Sequence, residues 1–241
     1  MSLKKLQRDW EYLGRVDPLF AVLTDQSRKN GKWDAVEFFL SGEREIGALM
    51  DHAAQLGHPS ERQVALDFGC GVGRLTRALA AYFEHCYGVD ISQNMVAKAT
   101  ELNGDIPACR FLVNSTDKLS ILPDSHFDLI YSNLVLQHIP NTQPILSYIA
   151  EFVRTLKEDG LLVFQVPSSV PLWQSKLQPR KTLFRLLRVI GLDEGFIYEK
   201  LSLYPISMTA VPRDDVLALL RAAGGQVLKV QLPDTTYFVT K

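Results

Sequence analysis

The run Ala65-Leu66-Asp67-Phe68-Gly69-Cys70-Gly71-Val72-Gly73-Arg74-Leu75 places an acid two positions before three alternating glycines. Glycine lets the chain reverse tightly and lets a ligand approach the backbone, where any Cβ would obstruct both. A strand, a glycine turn and a helix start in one stretch predict a nucleotide-type ligand held over the turn. The spacing is not that of the dinucleotide fingerprint GxGxxG, because Arg74 stands where the third glycine of that pattern belongs. A second acid, Asp90 in Tyr87-Gly88-Val89-Asp90-Ile91-Ser92, falls at the end of the next apolar run, where a carboxylate suits the two hydroxyls of a ribose.

The DxGxGxG form resembles motif I of the class I S-adenosylmethionine-dependent methyltransferases. The segment Phe127-Asp128-Leu129-Ile130-Tyr131-Ser132-Asn133-Leu134-Val135-Leu136-Gln137-His138-Ile139-Pro140 is similar to that family's FDxVxSxxVLxHI stretch, and the likeness runs from about Gln63 to Val166. The resemblance implies S-adenosylmethionine as cofactor, S-adenosylhomocysteine as product and a small organic acceptor. It implies that Asp67 lies near the cationic methionine end, with Gly69, Cys70 and Gly71 forming the turn. Asp90 then holds the ribose, and Ile91 and Met95 supply apolar surface for the adenine. At the third strand's end the family often has an acid for the adenine amine. Here the wording is Asn114-Ser115-Thr116-Asp117, which departs from the usual Gly-Asp-Ala and offers Asp117 or Thr116. Asn133 and Leu134 are expected beside the transferring methyl.

The elements that position these residues follow from hydrophobic period. Five short apolar runs, Val64 to Phe68, Cys86 to Val89, Arg110 to Val113, Asp128 to Ser132 and Leu161 to Val166, read as buried parallel strands. Between them, Leu75, Leu79, Tyr82 and Phe83 form one helical stripe, and Ile145, Ile149, Phe152, Val153 and Leu156 form another that is expected to stop at Gly160. A leading helix carries Ile46, Leu49, Met50 and Ala53, with Ser41 as its expected cap. A last helix with Val216, Leu219, Leu220 and Ala223 ends at Gly224 and Gly225, and the runs Gln226 to Gln231 and Thr235 to Thr240 flank a Pro-Asp turn as a closing hairpin. The fold class is α/β: a Rossmann-like, seven-stranded, mostly parallel sheet with helices on both faces, a helical N-terminal cap and an insertion after strand 5. One domain spans 1–241, with the cap at 1–60, the cofactor-binding core at 61–167, the insertion at 168–208 and the closing helix and hairpin at 209–241.

That topology selects a catalytic candidate. His58, His85 and His126 precede strands and belong to the amino edge of the sheet, and His52 lies on the leading helix. His138 follows a strand at the carboxyl edge, where open α/β sheets bind ligands, and is the candidate base or acceptor-orienting group. The aromatic cap and Trp173, Phe184, Phe196, Tyr198 and Tyr204 of the insertion supply walls for an organic acceptor.

Composition narrows the class. With 26 Lys and Arg against 27 Asp and Glu, the formal charge of −1 exerts no global pull toward nucleic acid. Three cysteines without a CxxC pair, and no carboxylate–histidine cluster at ligand spacing, predict neither a disulfide scaffold nor a metal. No run is long and apolar enough for a bilayer span or a signal peptide, so the chain reads as cytoplasmic. Lys176, Arg180, Lys181, Arg185 and Arg188 make 176–190 a basic amphipathic helix suited to an anionic acceptor or a membrane surface. The preferred acceptor atom is oxygen of a natural-product, sugar or lipid-like molecule. Alternatives are a protein or RNA methyltransferase, or a non-catalytic protein that binds S-adenosylmethionine.

Overall fold

The computed structural model describes residues 2–169, 179–193, 196–197, 201, 203, 208–232 and 235–241. Trp173, Lys176, Tyr198, Tyr204 and the Pro-Asp turn lie outside the described residues. The elements, in chain order, are α1 (Leu3–Val16), α2 (Pro18–Val22), α3 (Ala35–Leu56), β1 (Val64–Phe68), α4 (Arg74–Leu79), β2 (His85–Asp90), α5 (Gln93–Leu102), β3 (Cys109–Val113) and β4 (Phe127–Ser132). There follow α6 (Thr142–Thr155), β5 (Leu156–Gln165), α7 (Pro179–Val189), α8 (Arg213–Ala222), β6 (Gln226–Gln231) and β7 (Thr236–Thr240). The seven strands form one sheet in the order β3-β2-β1-β4-β5-β7-β6. The first five are parallel, and β7 runs antiparallel to both β5 and β6. The doubly wound, Rossmann-like reading therefore holds, and the closing hairpin supplies the antiparallel edge.

Period-two alternation divides the sheet's two faces. Leu66, Phe68, Ile130 and Phe164 join Ile149 and Phe152 of α6 and Leu220 of α8 in one core. Ala65, Leu129 and Val163 join Ile46 and Leu49 of α3 and Leu79 of α4 in the other. A third apolar cluster binds the N-terminal cap to the body: Leu13, Phe20 and Phe38 pack with Val72 and Met95. Because strand order reverses between β1 and β4, their carboxyl ends open a crevice at the topological switch point.

Three local expectations are corrected. Helix α3 starts earlier than Ser41: Asp34 is the cap, accepting from the Glu37 N–H at 2.8 Å, and Asp34 with Glu37 has the spacing of a capping box. Ser41 sits inside the helix and donates to the Phe38 carbonyl at 2.6 Å. Helix α6 ends at Thr155, not Gly160, because β5 begins at once and Leu156 already pairs with Phe127. Gly160 lies within that strand, where a Cβ would come tightly against the Asp128 carbonyl at 3.1 Å and the Lys157 carbonyl at 3.0 Å. Finally, β3 is an edge strand of half-buried and exposed residues, since only β2 flanks it.

Candidate functional site

The glycine turn leaves β1 between two backbone N–H groups anchored on β2: Gly69 and Cys70 both donate to the Val89 carbonyl, at 2.7 and 3.1 Å. Gly69 and Gly71 have φ of +79° and +53°, a region that side chains rarely adopt. Their missing side chains are also required by packing. A Cβ on Gly69 would meet Val135 at 2.3 Å, and one on Gly71 would meet Val22 at 2.4 Å. Val135 comes from the segment after β4 and Val22 from the cap, so two separate parts of the chain close over the bare turn.

Asp90 ties this turn to the end of β2. Its Oδ2 accepts from the Gly71 N–H and its Oδ1 from the Ser92 N–H, both at 2.9 Å. The Ile91 N–H acts on the same carboxylate as a third backbone donor. Burial pushes this carboxyl up, against the lowering effect of those N–H donors, with Glu11 adding repulsion. Ser92 caps α5 as its type predicts, accepting from the Met95 N–H at 3.2 Å. Ile91 is half-buried, whereas Met95 is buried against Gly14 of α1 and has no surface open to a ligand.

Asp67 is fully enclosed, and its Oδ2 accepts the Thr76 hydroxyl at 2.7 Å. Burial raises its pKa to about 7, with Thr76 and Arg74 opposing and Glu45 reinforcing the shift. Burial also holds the Cys70 thiol well above its ordinary range, so this cysteine contributes backbone and not thiolate chemistry.

At the end of β3 the unusual wording has a structural cause. Asn114 is buried and its amide donates to the Thr116 carbonyl at 2.8 Å, closing the turn. The Thr116 hydroxyl is engaged inside the turn, donating to the Lys118 carbonyl at 2.9 Å, and Tyr148 donates to the Thr116 carbonyl. Asp117 follows, half-buried.

The segment after β4 carries backbone strain. Leu134 has φ +59° and is 45% exposed, and its N–H is held by Gln165 Oε1 at 3.1 Å. The Asn133 amide donates to Glu45 Oε1 at 2.8 Å, and the Tyr131 hydroxyl donates to the same oxygen at 3.0 Å. Glu45 Oε2 takes Arg74 at 2.7 Å. One carboxylate of α3 thus joins the residue after the glycine turn to the carboxyl end of β4. His138 closes the single helical turn Leu136–His138, and its ring meets Trp10 of α1 edge to face, with centroids 5.9 Å apart. The neighbouring Gln137 carbonyl accepts from the Thr209 N–H at 2.7 Å, which returns the insertion to this edge.

The structure gathers Gly69, Cys70, Gly71, Asp90, Ile91, Asn133, Leu134 and His138 around the carboxyl ends of β1, β2 and β4, and it encloses Asp67 and Met95. The other four histidines lie elsewhere: His52 beside Phe238, His58 against the Asp159 carbonyl, His85 opening β2 and His126 against Phe127. Among the aromatic residues assigned to the acceptor wall, Phe184 is buried with Ile197 and Leu203, and Phe196 is 48% exposed. Sequence reasoning passed over Glu11, Val22 and Glu45. Glu11 accepts from the N–H groups of Gln93 and Asn94 at 2.7 and 2.9 Å and from the Ser92 hydroxyl at 3.0 Å, clamping α1 onto the start of α5. The aromatics of the cap signalled packing, but nothing in them pointed to these partners. Among the described residues no group of three or more metal-ligating side chains occurs, and no helix is long and apolar enough to cross a membrane.

Residues 66–164 match the family model described as a methyltransferase domain. The chain is 36% identical over 106 residues to trans-aconitate 2-methyltransferase of Deinococcus radiodurans, covering 43% of this chain and 38% of that protein. It is 37% identical over 100 residues to phosphoethanolamine N-methyltransferase 2 of Caenorhabditis elegans, covering 41% of this chain and 22% of that one. The chain thus spans well under half the length of these two relatives. Among solved structures, magnesium protoporphyrin IX methyltransferase of Synechocystis with bound SAH superimposes with a TM-score of 0.63 at 16% identity, covering 100% of both chains. An S-adenosylmethionine-dependent methyltransferase of Clostridium acetobutylicum gives 0.59 at 18% identity, covering 92% of this chain and 97% of that one. At these identities the likeness is one of fold.

Proposed function

We propose, from a chain whose core is a methyltransferase domain on a class I methyltransferase fold, that it transfers a methyl group from S-adenosylmethionine to oxygen of a small natural-product, sugar or lipid-like acceptor. The observation that carries this reading is the Asp90 carboxylate bound to the N–H of a turn glycine that tolerates no side chain. A nucleoside fits that arrangement. Asp90 accepts its ribose hydroxyls, the turn from Gly69 to Gly71 fixes Asp90 through the Gly71 N–H, Ile91 lies against the base and Asp117 accepts from the adenine amine. Asp67 acts from beneath the turn, where its enclosed carboxyl holds the Thr76 hydroxyl. Support for the cofactor comes also from the relatives, which are named as methyltransferases.

Bound S-adenosylmethionine supplies a methyl electrophile at its sulfonium. Asn133 and Leu134 line the edge where acceptor and methyl meet, and Glu45 fixes Asn133. His138 takes the acceptor's hydroxyl proton as the oxygen–carbon bond forms and the carbon–sulfur bond breaks, leaving neutral S-adenosylhomocysteine. In-line alignment in an enclosed site supplies several kcal/mol of the rate, and a positioned base adds about 10²–10⁴-fold. A cytoplasmic location is in keeping with three free cysteines, two of them buried.

The test is production of S-adenosylhomocysteine from S-adenosylmethionine across a panel of hydroxyl, carboxylate and amine acceptors. Trans-aconitate and phosphoethanolamine belong in the panel because relatives are named for them. Turnover with an oxygen acceptor that His138→Ala lowers by about 10²-fold or more, with cofactor affinity kept, supports the reading. Turnover unchanged in His138→Ala removes the base, and turnover confined to amines removes the oxygen assignment.

A further inference from the structure

Helix α7 carries Arg180, Lys181, Arg185 and Arg188 and no acidic residue. One side of it belongs to a small core, where Phe184 is buried with Ile197 and Leu203 and Leu187 packs partly against them. A second apolar side faces outward. Leu183 is 46% exposed, Leu186 58%, Val189 84% and the adjoining Ile190 70%. These positions recur at i, i+3, i+6 and i+7, which at about 100° per residue gathers them into one arc. By position on the helix, Lys181, Arg185 and Arg188 fall in a separate arc that adjoins the exposed apolar one. Scattered exposed apolar residues need no explanation, but a contiguous apolar stripe bordered by cations marks an interaction surface.

We propose that α7 docks this protein on an anionic lipid surface, with Leu183, Leu186, Val189 and Ile190 at the boundary of the acyl chains and the basic arc at the headgroups. The charge selects this occupant. Two copies meeting through this face of α7 would set three cations against three, whereas an anionic bilayer satisfies the apolar and the basic arc together. The concentration of charge is local, since the whole chain has 26 basic and 27 acidic residues. The segment that bears α7 is rooted at the carboxyl edge of the sheet. Val211 donates to the Pro167 carbonyl at 3.0 Å and Thr209 to that of Gln137 at 2.7 Å, next to His138. Docking rests on none of the methyl-transfer chemistry.

The experiment is co-sedimentation of the full chain with vesicles of phosphatidylcholine alone and of phosphatidylcholine mixed with phosphatidylglycerol, at low and high salt. The wild type is expected to sediment with the mixed vesicles only, and less at high salt. Leu186→Asp combined with Val189→Asp, and Arg185→Glu combined with Arg188→Glu, should each weaken partitioning by about tenfold or more. Absence of sedimentation with the anionic vesicles overturns the proposal, as does sedimentation that both double variants retain. Self-association without lipid binding, abolished by Leu186→Asp with Val189→Asp, overturns it in favour of a second copy. The wild-type contrast between the two vesicle types decides the question even where a variant fails to fold.

Discussion

The Val22 side chain lies directly on Gly71: a Cβ built on that glycine would stand 2.4 Å from Val22 Cγ2. The cap and the glycine turn are therefore packed in contact, and both the turn's φ of +53° and its covering exclude a side chain. Gly71→Ala is expected to destabilise the protein by about 1–3 kcal/mol through strain and overpacking. In thermal denaturation, Gly71→Ala with Val22→Ala should recover the overpacking part of that loss and leave the backbone part. Full recovery would mean that φ at position 71 carries no cost.

Glu45 supports the site without facing a ligand in the proposed chemistry. It accepts from Arg74, Tyr131 and Asn133 and is about a quarter exposed, while Arg74 is nearly enclosed. Removing it strands the Arg74 charge, so Glu45→Ala should cost about 2–4 kcal/mol of stability, discounted from a fully buried pair for the exposed carboxylate. Glu45→Gln retains an acceptor for Tyr131 and Asn133 and is expected to recover cofactor affinity more than stability. Chemical denaturation and cofactor titration on the same two variants separate these effects, and equal losses in both would reduce Glu45 to a plain stabilising residue.

Asp67 gives the protein a pH dependence of definite sign. Its carboxyl is raised from 3.8 to about 7 by burial, so the folded state binds this proton more tightly than the unfolded chain. Its contribution to stability is full below the unfolded value and is lost as pH rises through about 7. A shift of that size corresponds to at most roughly 4 kcal/mol. The melting temperature of the ligand-free protein should fall between pH 5 and pH 8, tested by repeating the scan on Asp67→Asn, where the slope should flatten. An unchanged slope would show that other groups set it.

Glu11 fastens the cap. Its carboxylate lies at the N-terminus of α5, where charge and N–H donors both favour an anion. Glu11→Ala is expected to cost about 1–2 kcal/mol and to raise amide exchange through α1 and α2, residues 3–22. Exchange confined to α5 would place the clamp's effect on that helix alone.

The seven-stranded, mostly parallel sheet and its closing hairpin were legible because buried strands and amphipathic stripes leave strong periods in the sequence, whereas the strand order came only with the fold. Gly69 and Gly71 were legible as turn residues because a positive φ and close packing restrict residue type. Asp67 was found as a residue, but its enclosure beneath Thr76 was not, since spacing gives a side chain's neighbours in sequence and not its depth. Met95 was misjudged for the same reason: helical position puts it near the base, and the packing of Gly14 of α1 against it is a long-range fact. Glu45 and Glu11 sit in polar helices among other charges, and only tertiary contact distinguishes them from solvated acids. The start of α3 was readable in Asp34 and Glu37, but the surrounding aromatics obscured it.

Whether Asp90 and the glycine turn hold the nucleoside of S-adenosylmethionine is decided by calorimetric titration. The wild type, titrated with S-adenosylmethionine, S-adenosylhomocysteine and NAD, is predicted to bind both sulfur nucleosides and not NAD. Asp90→Ala, which removes charge-assisted contacts to two hydroxyls, is predicted to weaken that binding by about 100-fold or more. Binding of NAD alone, or sulfur-nucleoside affinity unchanged in Asp90→Ala, would exclude that role for Asp90.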